Sequence, residues 1–202
     1  MAAGTMSGRG RQFAAAALIL LAAAANAEPA VRTVEQVDLK RYAGRWHEIA
    51  ALPNFFQRHC AWGTTAEYTL LTEGTVRVRN ACFERDGTES SVEGRARIVD
   101  EASRAKLQVS FLKLFGDWRF WFGGDYWVIG LDPDYRWAVV GHPSRDYGWI
   151  LAREPALDRD VLSRIAALLK AQGYDPCAFK MSARDAGTVP PATLCVAAGG
   201  VR

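Results

Sequence analysis

The sequence predicts an all-β protein: an eight-stranded antiparallel up-and-down β-barrel with one C-terminal α-helix packed outside. Three observations carry this. Between about residue 47 and residue 153 the chain is a series of short runs, several strictly alternating, with turn residues at even spacing, the pattern of antiparallel strands. One later stretch, 157–171, keeps a helical stripe instead. The chain has 202 residues and four cysteines, and 175 of the residues follow an apolar leader, which suits a single core-forming domain.

The leader is 1–27. Arg9 and Arg11 form a basic flank, Phe13 to Ala25 is apolar, and Ala25-Asn26-Ala27 offers small residues for cleavage, so a secretory signal is expected. The apolar run is short for a membrane span. Cys60 is the first cysteine of the chain, so no lipid-acceptor Cys follows the signal, and a periplasmic or secreted protein that is not a lipoprotein is expected. Without Arg9 and Arg11, 23 basic residues face 22 acidic ones, a formal charge of +1. That balance gives no electrostatic case for nucleic acid.

The barrel domain is expected over 28–182, with 183–202 as a tail. Asp38 is placed to cap a single turn, Leu39 to Tyr42, by accepting from its first amides. Gly44 admits the backbone at close quarters, and Trp46 opens the first strand, His47 to Leu52. Period-two patterns follow. Val76, Val78 and Asn80 oppose Arg77 and Arg79; Val92, Gly94, Ala96 and Ile98 oppose Glu93, Arg95 and Arg97; Leu107, Val109 and Phe111 oppose Lys106 and Gln108. Each run therefore has a dry face and a wet one. The runs 125–131 and 135–141 are apolar on both faces, so something must cover them outside. The helix 157–171, with Val161, Leu162, Ile165, Leu168 and Leu169 on one stripe, is the candidate. Asp132 and Asp134 read as turn formers.

In an exported chain the four cysteines imply disulfides. A hairpin turning at 72–74 brings Cys60 near Cys82, leaving Cys177 and Cys195 to staple the tail.

A Gly44-x-Trp46 opening, a late Asp132-Pro133-Asp134-Tyr135 turn and Arg153 closing the last long strand together resemble the lipocalin family. Phrases such as WHEIAALPN, YWVIGLDPDYRWAVVG and YGWILAR are similar to its bacterial, apolipoprotein D-like branch. The resemblance runs over about 37–181. It implies a barrel whose floor is sealed by Trp46 with Arg153 laid across the indole, residues that are structural and not catalytic. It also suggests the other disulfide pattern, Cys60 to a C-terminal Cys, and that choice stays open here.

An eight-stranded barrel is either filled or just wide enough for one small ligand. The resemblance implies a cavity for a lipophilic molecule, of fatty-acid or lysophospholipid class. Its expected lining is Tyr68, Val78, Asn80, Val92, Ala96, Leu107, Val109, Phe111, Trp127, Trp137, Tyr147 and Trp149, with Tyr68, Asn80 and Tyr147 as polar groups for a headgroup. Gly94 and Ala96 are expected to leave room. Around the mouth Phe55, Phe56, Trp118, Phe120, Trp121 and Phe122, interleaved with Lys113 and Arg119, form either a membrane contact or an inward lid.

His47, His59 and His142 lack metal spacing, and no hydrolase, zinc or nucleotide motif occurs, so neither cofactor nor metal is expected. His59 and His142 near the mouth keep a haem alternative open. A lipid-acting enzyme in the same barrel and a protein-binding module are the competing readings. Oligomeric state is not legible.

Overall fold

In the computed structural model, which describes Met1 and residues 30–190 and 192–199, the chain closes into the expected barrel. The signal reading falls on residues outside this range. The elements run α1 (Leu39–Tyr42), β1 (Gly44–Ala51), β2 (Trp62–Leu70), β3 (Val76–Phe83), β4 (Glu89–Ile98) and β5 (Lys106–Ser110). A small β6 (Lys113–Leu114) and β7 (Asp117–Trp118) follow, then β8 (Gly124–Leu131), β9 (Trp137–Gly141), β10 (Gly148–Ala152), α2 (Arg159–Ala171), β11 (Lys180–Met181) and α3 (Leu194–Ala197).

The eight barrel strands pair antiparallel in the order β10-β9-β8-β5-β4-β3-β2-β1, and β10 pairs back onto β1 through His47 with Ala152 and Ala51 with Trp149. Among the described residues closure leaves β11 as the added edge, joined to β1 at Ala50 and Met181.

Two apolar layers share the wall. The inner one includes Trp46, Val78, Ala96, Leu107, Val128, Val140 and Leu151. The outer one joins Ile49, Ile129, Val139 and Ile150 to Leu162, Ile165 and Leu169 of α2. This explains why 125–131 and 135–141 are apolar on both faces: α2 covers the outside. Trp127 and Trp137 belong to that outer layer, and Lys106 Nζ lies 4.6 Å from the Trp127 ring. The expectation that they line the cavity is therefore corrected. With two apolar faces the pleat could not be phased from composition, and it sends Tyr126, Val128, Ala138 and Val140 inward instead.

Cys60 is bonded to Cys82 and Cys177 to Cys195, with Cα separations of 5.5 and 5.0 Å. The first ties the segment after β1 to the end of β3. The second holds the segment before β11 to α3, which packs on α2.

Candidate functional site

At the floor, Trp46 is fully buried and its indole Nε1 donates to the Tyr42 carbonyl at 2.8 Å. The guanidinium carbon of Arg153 lies 3.8 Å from the centre of the Trp46 ring. Its Nη1 donates to the Arg45 carbonyl, and its Nη2 lies within hydrogen-bond distance of those of Arg41, Tyr42 and Ala43. One cation thus gathers the carbonyls of the turn that Asp38 caps through Lys40 and Arg41 amides. Gly44 sits at φ +96°, where a side chain would be strained. Asp132 accepts from the Asp134 and Arg136 amides and from the Arg136 guanidinium, which holds its carboxyl below the usual range. It is a turn former.

Above the floor the barrel encloses two spaces. A void of about 20 Å³ lies just inside, lined by Val37, Leu39, Tyr42, Ala96, Leu107 and Val128 among others. A cavity of about 740 Å³ opens above it, within the range of small-molecule sites. Tyr68, Val109 and Tyr126 line both.

Of the expected lining, Tyr68, Val78, Asn80, Val92, Val109, Phe111, Tyr147 and Trp149 face the main cavity. Ala96 and Leu107 point inward but lie deeper, against the small void; the alternation fixed their face but not their depth. Gly94 leaves room for Phe111, not for a ligand: a Cβ there would stand 2.7 Å from that ring.

Sequence did not single out Tyr126, which lines the cavity, or Glu48, which supports its rim. Tyr126 joins Tyr42 and Tyr68 in a chain of hydroxyls, 2.7 and 2.9 Å apart, all three kept protonated by burial. Extending the alternation back from Val128 would have found it. Glu48 looks like a surface charge in its strand, yet it is half-buried, accepting from Ser182 Oγ and Gln57 Nε2 at 2.6 Å each. Burial raises its carboxyl above the ordinary value, opposed by those two bonds. Gln57 in turn accepts from Trp149 Nε1 at 3.2 Å, so Glu48 anchors the 3₁₀ turn Phe55–Gln57 over the cavity. Asn80 Oδ1 is buried without a hydrogen-bond partner among the described residues.

The mouth is aromatic. Phe56 stacks on Tyr147 and Tyr147 on Trp149, at 5.6 and 6.1 Å between ring centres. His59 and His142 both line the rim; His59 Nε2 is 3.3 Å from Ser90 Oγ, and His142 Nδ1 is 2.7 Å from Ser144 Oγ. His59 also lies near Cys60 and Cys82, whose sulfurs are committed to their disulfide.

The mouth segment 112–125 contains the hairpin β6–β7 and a 3₁₀ turn, Phe120–Phe122. Its aromatics divide. Trp118 lies under Arg95 and Lys113 and Phe120 under Arg97, half-buried against these cations. Phe115, Trp121 and Phe122 are 98, 77 and 73 % exposed. Phe55 and Phe56 are also exposed across the mouth, whereas Trp62 stacks half-buried on Phe83. At the hairpin tip Phe115 and Gly116 have φ of +53° and +91°, a backbone that a bulky residue rarely adopts.

The barrel is sealed at one end by a Trp–Arg pair and open at the other onto an apolar cavity, and residues 37–184 match the family model of the lipocalin-like domain. The chain is a lipocalin. Its sequence is 38 % identical over 168 residues to the outer membrane lipoprotein Blc of Escherichia coli K12, covering 82 % of this chain and 90 % of Blc. It is 29 % identical over 170 residues to apolipoprotein D of Rattus norvegicus, covering 80 and 84 %. Insecticyanin of Manduca sexta shares this lipocalin's fold with a TM-score of 0.62 at 23 % identity, over 78 and 86 % of the two chains. The bacterial, apolipoprotein D-like branch expected from the motifs is thus the one to which the chain belongs. Lipocalins bind small hydrophobic ligands, so a small-molecule partner follows from the family.

Proposed function

We propose that this lipocalin is an exported, periplasmic carrier of one lipophilic chain molecule, of fatty-acid or lysophospholipid class, exchanged at a membrane surface through its aromatic mouth. The observation that carries the reading is the 740 Å³ cavity, sealed below by Trp46 and rimmed above by exposed aromatics. Burial of an acyl chain in such a space is worth about 0.8 kcal/mol per methylene. The two disulfides support export.

Exchange at a bilayer is supported by the hairpin. Phe115 is held at its tip in a strained backbone conformation, and Trp121 and Phe122 extend the same apolar surface. Such strain in a wholly exposed side chain points to use rather than packing. Lys113 and Arg119 flank these rings, as at a headgroup layer.

The test is transfer of palmitoyl lysophosphatidylcholine from phosphatidylcholine–phosphatidylglycerol vesicles, comparing wild type with Phe115→Ser/Trp121→Ser. Both positions are exposed, so stability should change by about 0.5 kcal/mol or less. Transfer and vesicle cosedimentation should fall severalfold, while affinity for micelle-free lipid is kept. Unchanged transfer would remove the membrane role and leave the carrier reading.

A further inference from the structure

The hydroxyl chain at the inner end of the cavity has a proton it does not use. Tyr42, Tyr126 and Tyr68 each carry one hydroxyl proton, and the two contacts between them consume two, whichever direction the chain runs. Among the described residues no other acceptor lies within hydrogen-bond distance of these hydroxyls, and the unpartnered Asn80 Oδ1 on the same cavity wall makes no contact with them. One O–H is therefore left over on Tyr42, Tyr126 or Tyr68. Two of these, Tyr68 and Tyr126, line the main cavity, and rotation of three hydroxyls can deliver the spare donor to either of them.

A buried donor left without an acceptor is costly. The surroundings restrict what can meet it. Among the described residues no Lys or Arg lines the cavity. Arg153 lies against the Trp46 ring, its donors directed to backbone carbonyls, and the half-buried Glu48 carboxyl sits on the adjoining wall. An ionised headgroup at this depth would have no cation to offset its desolvation. A neutral oxygen would need none.

We propose that the inner end of the cavity is a hydrogen-bond donor site for a neutral acceptor, a ketone, ester or alcohol oxygen, carried on the buried end of the ligand. This rests on the carrier reading and adds a ligand class to it: a lipid with a neutral oxygen function at its deep end, any charged group staying at the mouth beside His59 and His142. Burial keeps all three tyrosines protonated, so the donor persists across neutral pH.

The experiment uses two probes of the same shape, 2-tetradecanone and 2-methyl-1-tetradecene, in which a methylene replaces the carbonyl oxygen. Each is titrated by displacement of a fluorescent fatty acid from wild type and from Tyr42→Phe/Tyr68→Phe/Tyr126→Phe. The ratio of ketone to alkene affinity should fall about fivefold in the variant, the size of one neutral hydrogen bond, while alkene affinity holds. In wild type the bound ketone's carbonyl stretch should lie below its frequency in an alkane solvent, a readout that needs no variant. An unchanged affinity ratio, or a carbonyl stretch at the alkane position in wild type, would overturn the site while alkene binding upholds the carrier. Failure of both probes to bind wild type would overturn the carrier reading itself, and this site with it.

Discussion

At the floor of the barrel Trp46 is fully buried and its covering guanidinium is engaged by a set of backbone carbonyls, whereas at the mouth Phe115, Trp121 and Phe122 stand in solvent. The same residue types do opposite work at the two ends. Below, an aromatic and a cation are locked to each other and to backbone, so their contribution goes into holding β1, β10 and the capped turn together. Above, Lys113, Arg95 and Arg97 shield Trp118 and Phe120 only in part, and the remaining rings have no cation over them among the described residues. One end is built for permanence and the other for contact with something outside the chain.

That contrast is sharpest in stability. Trp46→Ala should lower the unfolding free energy by about 3–5 kcal/mol, measured by urea denaturation, because a large buried side chain is lost together with the seat of Arg153. The folded fraction should still take up ligand. A variant that melts like wild type but binds nothing would reverse the roles assigned to the two ends.

A smaller effect belongs to the wall near the mouth. Burial holds the Glu48 carboxyl above its ordinary value of 4.5. The folded chain therefore keeps a proton there that the unfolded chain has released. Its stabilising contribution is complete below pH 4.5 and is lost as pH rises through the folded value. Glu48→Gln cannot ionise, so its unfolding free energy should decline less than that of wild type from pH 4.5 towards neutrality, followed by denaturation at a series of pH values. Parallel profiles would mean that Glu48 is not held protonated by its surroundings.

The two ends also differ in how far they could be read from sequence. The floor was legible through the family resemblance that Gly44, Trp46 and Arg153 carry in fixed order, while Asp38 by itself marked the capped turn before it. The wall was legible where charge alternates with apolar residues, as in β3, β4 and β5. It was not where both faces are apolar, which is why Trp127 and Trp137 were expected inside and belong to the outer apolar layer. Glu48 went unremarked because its partners, Gln57 and Ser182, are brought to it only by the fold. In the mouth, Gly116 is a usual hairpin-turn residue but Phe115 stands where Asn, Asp or Gly is expected, and β6 and β7 are two residues each, too short for an alternating pattern to show.

The claim on which the two ends depend is that the space between them holds one lipid. Calorimetric titration of delipidated protein with palmitoyl lysophosphatidylcholine below its micelle concentration tests this most directly. The expected result is saturable binding of one lipid per chain with a negative heat-capacity change, the mark of buried apolar surface. No heat of binding for this lipid or for palmitate, or uptake that never saturates, would contradict it.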